Sequence, residues 1–276
     1  MNRFSRTLSL TTRAHSTTTS TTSQQPKTHF GYRHVPEQAK QGMVGQVFSS
    51  VASSYDIMND AMSLGIHRLW KDHYVKSLDP HGDIRCLDVA GGTADIGLRI
   101  LDHARLQHSD RNTKVTILDI NPNMLQEGQK KVNQTMYHNT DQIQFVLGNA
   151  EDLASSSIED NSVDFLTEAH RVLKKGGRFS CLEFGKVNNP LLAGFYELYS
   201  FNVIPNLGHI LASDRDSYQY LVESIRKFPT QSKFAEMIKH AGFSVPNQHK
   251  HLSKELSKGW EDLTFGIASI HNGIKL

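Results

Sequence analysis

Between Ile84 and Phe184, short apolar runs alternate with stretches whose apolar positions recur every three or four residues. Ile84 to Val89 is one such run and closes on Asp88-Val89-Ala90-Gly91-Gly92-Thr93; Ile96, Ile100 and Leu101 then mark a helix. Val115 to Ile120 predicts a second strand, with Met124, Leu125 and Val132 on the helix after it. Ile143 to Leu147 predicts a third strand, followed by Gly148-Asn149-Ala150. Lys174-Lys175-Gly176-Gly177 reads as the end of a helix that turns into a strand from Arg178 to Phe184. Upstream, Gln46–Val51 and Ala61–Val75 show helical spacing through Val47, Val51, Leu64, Leu69 and Trp70. Downstream, Phe234–Ala241 predicts a helix stopped by Gly242, and Leu263–Ile270 a final strand. The β-α alternation predicts an α/β domain built on a doubly wound, mostly parallel sheet.

Composition divides the chain. Residues 1–36 hold Arg3, Arg6, Arg13, Lys27 and Arg33, and no acid occurs before Glu37. Ser and Thr fill most of Ser16 to Ser23. A basic, hydroxyl-rich, acid-free leader has the composition of a mitochondrial transit peptide. The expected organisation is therefore a leader over 1–36 and one domain over 37–276. Formal net charge is only +2, so nothing points to a nucleic-acid partner. Cys86 and Cys181 lie in apolar runs and read as buried thiols. The 15 histidines are scattered without repeated ligand spacing, so no metal site is expected. No apolar run reaches the ~18 residues of a spanning helix.

In doubly wound sheets, ligands bind beyond the carboxyl ends of the strands. Three loops answer to that position. In the first, Asp88 precedes Gly91, Gly92 and Thr93, small residues that let backbone approach a ligand. The second ends in Asp119, placed to accept the hydroxyls of a ribose. The third carries Asn149 and Ala150, an amide and a backbone able to read an adenine edge. Gly92-Thr93-Ala94-Asp95-Ile96-Gly97 is one residue away from a dinucleotide fingerprint, which brings a nicotinamide oxidoreductase into consideration. Charge argues against it. Asp88 and Asp95 would repel a pyrophosphate and attract the ammonium and sulfonium of S-adenosylmethionine.

Two stretches resemble the signatures of the ubiquinone/menaquinone C-methyltransferases. The first is Tyr55-Asp56-Ile57-Met58-Asn59-Asp60-Ala61-Met62-Ser63 with His67 and Trp70; the second is Arg171-Val172-Leu173-Lys174-Lys175-Gly176-Gly177-Arg178-Phe179 with Leu182-Glu183. Ser213 to Ser217 and the ending around His271 extend the likeness from about residue 45 onward. The resemblance implies the class I, Rossmann-like methyltransferase fold, with donor contacts from Thr93, Asp119, Asn149 and Ala150. Ala94 stands where the family usually has glycine. With the leader, the resemblance implies the ubiquinone branch: a polyprenyl benzoquinol substrate, other ubiquinone-biosynthesis proteins as partners, and peripheral attachment to the matrix face of the mitochondrial inner membrane. Tyr55, Asp56 and Asn59 could form a lid, though Asp56 and Asn59 also suit caps and turns. His67 and Trp70 suit packing, and Phe195, Tyr196, Tyr199, Phe201 and Val203 suit either a prenyl channel or a core.

One part of the family pattern is missing. Members continue after the position of Asp164 with a strand, a turn and a long helix ending at Arg-Val-Leu-Lys. Here only six residues, Phe165 to His170, separate Asp164 from Arg171. A strand of ~5 residues and a helix of ~10 do not fit there. The sheet is therefore expected to lack or rearrange one central strand. The missing tip is where the family holds groups facing donor and quinol, so no catalytic residue is assigned. A catalytically impaired member of the quinone-synthesis assembly is the alternative reading.

Overall fold

The computed structural model describes residues 26–156, 158–166, 171–245 and 259–276. The apolar runs pair side by side as β3 (Arg85–Val89), β4 (Lys114–Asp119), β5 (Ile143–Leu147), β6 (Val163–Leu166), β7 (Leu173–Phe184), β8 (Trp260–Leu263) and β9 (Ala268–Ile274). Their order is β5-β4-β3-β6-β7-β9-β8. The first five run parallel and β9 is antiparallel to both its neighbours. Strands buried on both faces need helices on both faces. Tyr74, Leu101 and Ile117 belong to one core layer, and Leu87, Leu118 and Phe179 to the other. Adjacent residues of one strand, Ile117 and Leu118, thus serve opposite layers, as the two-residue period requires.

The expected defect at the centre of the sheet is a rearrangement, not a loss. β6 occupies the place between β3 and β7 but is only four residues long, and pairs with β3 at Cys86↔Phe165 and Leu87↔Leu166 alone. What is missing is the crossover: a parallel connection ordinarily needs a dozen or more residues. Among the described residues, the expected helix ending at Lys174 is accordingly not formed. Val172 and Leu173 are instead drawn into the sheet and fully buried, with Ser162 and Val163 donating their N–H groups to the Val172 carbonyl. The β6–β7 register then slips, from Val163↔Leu173 to Phe165↔Arg178, around a turn where Gly176 has φ +79°. The Lys275 ammonium ties this junction together by donating to the carbonyls of Arg171 and Leu173 and to Asn161.

Three further boundaries differ from expectation. The segment Ala61–Val75 divides into α2 (Tyr55–Ser63) and α3 (Ile66–Leu78), because Leu64 and Gly65 both take left-handed backbone. The predicted strand Leu263–Ile270 divides into β8 and β9 around Thr264–Gly266, all three at positive φ. Inside the segment read as a leader, β1 (Lys27–Phe30) and β2 (Arg33–Pro36) form a hairpin that leads into α1 (Glu37–Val51). Phe30 stacks on Tyr220 of α8 (Arg215–Lys227), and the Tyr32 N–H donates to Glu223. The rest of the leader, residues 1–25, lies outside the described residues.

The remaining helices are α4 (Asp95–His108), α5 (Pro122–Val132), α6 (Pro190–Asn202), α7 (Ile204–Ala212) and α9 (Gln231–His240). On α5, Gly128 lets the helix lie against the loop after β3: a Cβ there would come within 2.7 Å of the Gly92 carbonyl oxygen and 2.9 Å of the Phe145 ring. Backbone cannot yield as a side-chain tip can. Gly128→Ala should lower unfolding free energy by about 1–3 kcal/mol, read by urea denaturation.

Candidate functional site

β3 delivers Asp88 and Val89 to the carboxyl edge of the sheet, where the chain must turn sharply into α4. Ala90, Gly92 and Ala94 all have positive φ, at 54°, 45° and 61°. Left-handed alanine costs about 1–2 kcal/mol, so the surrounding contacts hold this loop in place. Gly91 is required for another reason: a Cβ would lie 2.8 Å from Asp88 Oδ2. The methyl group of Ala94 is fully buried in the core and is not part of the cavity lining.

The turn forms one wall of a cavity of about 310 Å³. Asp88, Gly91, Gly92 and Thr93 line it, and Cys181–Phe184 of β7 form the opposite wall. This opening follows from the short β6. Leu166 pairs with Leu87 and Phe179, whereas β3 runs on to Val89 and β7 to Phe184. Among the described residues no strand lies between those extensions. Tyr55 and Asn59 of α2, with His67, Trp70, Lys71 and Tyr74 of α3, close over it.

Carboxylates set the charge of the site. Asp88 is buried, and its Oδ2 has no hydrogen-bond partner. Burial, reinforced by Asp119 and Asp95, pushes its carboxyl up to about 7 despite an N–H from Gly97. Asp119 accepts the N–H groups of Gly92 (3.0 Å) and Asn121 (2.8 Å), yet burial still leaves its carboxyl above the ordinary range. Each of its oxygens retains a lone pair. Asp95 behaves differently. It is bridged by Lys71 at 2.6 Å and by Arg99, and these cations outweigh burial to hold its carboxyl low. Of the two carboxylates expected to flank the loop, Asp88 alone lacks a cationic partner, and Lys71 weakens the charge argument at Asp95.

Thr93 is buried and donates to Asp56 of α2 at 3.3 Å, while Lys131 bridges Asp56 at 2.6 Å. α2 is thereby tethered across the loop. Asn149 and Ala150 do not line the cavity. They follow Gly148, whose N–H reaches the Asp119 carbonyl, so they sit beyond the carboxyl end of β4 on the far side of Asp119. The Asn149 side chain accepts from Glu151 N–H. Phe195, Tyr196, Tyr199, Phe201 and Val203 also stand outside the cavity. Tyr196 lies under the Arg226 guanidinium, 4.8 Å away, and Tyr199 donates to the Met62 carbonyl.

His67 and Trp70, expected to pack, both face the cavity as well. His67 bonds Ser63 through Nδ1 at 2.8 Å, and burial together with Lys71 lowers its pKa, which keeps the ring neutral near pH 7. Trp70 donates to Thr264 and meets Phe184 edge-on. Lys71 and Tyr74 escaped the sequence reading. The signal was present, since both fall on the helical face that His67 and Trp70 define.

A doubly wound sheet with a glycine loop opening α4 and buried carboxylates closing β3 and β4 defines a Rossmann-like, S-adenosylmethionine-dependent methyltransferase. The model of the ubiE/COQ5 methyltransferase family matches residues 36–275, and the chain belongs to that family. It is 48% identical to the mitochondrial 2-methoxy-6-polyprenyl-1,4-benzoquinol methylase of Schizosaccharomyces pombe, over 90% of this chain and 84% of that protein. With the Homo sapiens protein of the same name the identity is 42%, over 91% and 85%. These alignments run over 268 and 294 positions, more than the share of the 276-residue chain they cover, so each opens gaps in this chain. A solved SAM dependent methyltransferase from Aquifex aeolicus superimposes with a TM-score of 0.46 at 12% identity, over 75% of this chain and 89% of that one.

Asp88 makes stability depend on pH. Its folded carboxyl titrates near 7 and its unfolded one near 4, so the folded state holds the extra proton between them and loses stability as pH rises through that window. Asp88→Asn removes this term. Its unfolding free energy relative to wild type should rise from near zero at pH 4 to as much as about 4 kcal/mol at pH 8, measured by urea melts across pH.

Proposed function

We propose that this chain transfers a methyl group from S-adenosylmethionine to a ring carbon of a polyprenyl benzoquinol, as the names of its relatives describe for them. The observation carrying the donor assignment is the Asp88 carboxylate, buried at the cavity wall with an unpartnered oxygen. A ligand that supplies a cation there relieves both the desolvation and the missing partner. Gly91 and Gly92 admit the ligand to the backbone, Thr93 and Asp88 face its charged part, and Asp119 receives the ribose hydroxyls. Asn149 and Ala150, one strand further on, contact the adenine.

The bound donor supplies an electrophilic methyl on a sulfonium, which departs as a neutral thioether. The residues present do the rest. Tyr55, Asn59 and Trp70 exclude water above the loop, and the tether from Thr93 to Asp56 holds α2 in that position. Removing a proton from a quinol hydroxyl raises electron density at the ring carbon, which attacks the methyl in line as the carbon–sulfur bond breaks; the hydrogen on that ring carbon then leaves as a proton and restores the aromatic quinol. Of the groups on the cavity wall, His67 is held neutral and so can accept a proton.

The relatives' names and the basic leader support a mitochondrial location. Because the β1–β2 hairpin is packed on α8, the processed protein would begin near Pro26, upstream of the 1–36 boundary read from composition. Exposed Leu191, Phe195 and Leu198 on α6, with Ile210 and Leu211 on α7, suit peripheral contact with the matrix face of the inner membrane, where a prenylated substrate and the other ubiquinone-biosynthesis proteins would be met. No helix among the described residues is long and apolar enough to cross a membrane.

Isothermal titration should show S-adenosylmethionine binding at least tenfold tighter than NADH, with Asp88→Asn losing most of that affinity. Tighter NADH binding would overturn the donor assignment. The rearranged crossover favours a second reading, a family member that binds donor without turning over. Expression in a strain lacking this methylase, beside a form with the crossover restored, separates the two. Restoration of quinone synthesis by the restored form alone establishes the second reading, and by both forms the first.

A further inference from the structure

At the edge of the sheet opposite the cavity, α3 and α4 end side by side. Asp79 caps α3 with left-handed backbone (φ +48°), and His108 is the last residue of α4. Around the Asp79 carboxylate three imidazoles converge. His103 Nε2 lies 2.8 Å and His108 Nε2 2.6 Å from the same oxygen, Oδ1, and His81 Nδ1 lies 3.6 Å from Oδ2. The rings of His81 and His108 stack at 3.9 Å. Ligand-capable atoms of Asp79, His81 and His108 all fall within 4.8 Å of one another.

We infer that Asp79, His81 and His108, with His103 beside them, form a binding site for a borderline divalent transition-metal ion such as Zn²⁺. Two imidazoles and one carboxylate, with a third imidazole in reach, make a nitrogen-rich set suited to zinc rather than to magnesium or calcium. Bringing atoms now within 4.8 Å of one another to about 2 Å from a shared ion takes side-chain movement only, since these residues are at the surface. His81 is already oriented for the task. Its Nδ1–H donates to the Asp79 carbonyl at 2.7 Å, which leaves Nε2 as the ring's lone pair. A second bond of this kind, from the far ring nitrogen to a carbonyl, is how metal-binding imidazoles are commonly held.

Electrostatics favour a cation at the same place for an independent reason. The carboxyl ends of two helices carry partial negative charge, and both point here. Asp110 adds a carboxylate nearby, accepting the N–H of Gly82 in the loop that carries His81. One divalent ion would replace two imidazole N–H groups competing for one oxygen.

The consequence is a clip. Asp79 belongs to the end of α3, His81 to the loop before β3, and His103 and His108 to α4. An ion here joins the end of α3 and the loop that follows it to α4, which the chain reaches only after the whole of β3 and its turn. α3 also carries His67, Trp70, Lys71 and Tyr74 on the cavity wall, so the clip would fix the far end of that wall. Sequence spacing concealed the site because 27 positions separate His108 from His81.

The test uses the full chain without a histidine tag, titrated with Zn²⁺ alone by calorimetry. Wild type should bind one ion with micromolar or tighter affinity, and its thermal midpoint should rise by several degrees in excess Zn²⁺. His81→Gln with His108→Gln should weaken that site at least thirtyfold and abolish the rise. Asp79→Asn serves as the second variant should the double one fold poorly, and Co²⁺ absorption in the visible reports the ligand field directly. Equal Zn²⁺ binding by wild type and variants, or no saturable one-to-one site in wild type, would overturn the inference.

Discussion

Two residue pairs, Cys86↔Phe165 and Leu87↔Leu166, hold the two halves of this sheet together. On one side lie β3, β4 and β5; on the other β7, β9 and β8. A parallel sheet has no other way to satisfy the backbone of its central strands, because water cannot reach them. The chain meets this demand with four residues of β6 where a full strand and crossover helix would ordinarily stand. The cost appears at the junction with β7, in a slipped register, a left-handed glycine and a buried lysine recruited to cap three oxygen atoms. The benefit is topological. β3 keeps its place beside β4, and everything that β3 delivers to the carboxyl edge stays in position.

What it delivers is a charge problem. Asp88 and Asp119 end adjacent parallel strands and so stand close together, both buried, both with carboxyls raised above the ordinary range. A protein selected for stability alone would replace Asp88 with a neutral residue, since desolvation of an unpaired carboxylate is unfavourable at any position. Asp95 shows that the fold can neutralise an acid in this cavity when it is to be neutral: Lys71 and Arg99 both reach it. Leaving Asp88 without such a partner, three residues from a loop that needs glycine for close approach, is the signature of a cationic ligand. The dinucleotide alternative fails on the same residue, because a pyrophosphate would add negative charge beside a buried acid that has no ion-pair partner.

The alternation of apolar runs located β3, β4, β5 and the helices between them, because each is a local pattern of the kind periodicity records. The placing of Asp88, Gly91, Gly92 and Thr93 on the cavity wall was legible for the same reason, since the loop beyond a parallel strand lies where an apolar run stops; Asp119, at the next strand end, does not line the cavity. Elements whose form depends on distant partners were not. Val172 and Leu173 carry the pattern of a helix end, yet Leu173 opens β7 and Val172 lies in the turn before it, because the crossover is too short and Val163 needs a partner. The break at Leu64-Gly65 was hidden because leucine gives no sign of left-handed backbone, and the hairpin at 27–36 because a basic composition says nothing about Tyr220 waiting to stack on Phe30. Lys71 and the cluster around Asp79 were missed because their meaning lies in what they face.

The two edges of the sheet thus carry opposite solutions to the same physics. At the carboxyl edge, helix α4 begins and its N–H groups help to hold Asp88, yet the strands crowd two acids together and leave a demand for positive charge. At the amino edge, α3 and α4 end, and the partial negative charge of their carboxyl ends lies beside the histidines gathered on Asp79. α3 connects the two, with His67, Trp70, Lys71 and Tyr74 along its length and Asp79 at its cap. A rigid helix of 13 residues anchored at one end transmits its orientation to the other. The donor side of the cavity is fixed by β3 and its loop, which the pairing with β6 secures. The wall above it is formed by α2 and α3, whose anchors are the Thr93–Asp56 contact and the Asp79 cluster. The contacts that hold α2 and α3 lie away from the β6–β7 junction, and this is why a chain with a rearranged central strand still carries those two helices over the cavity.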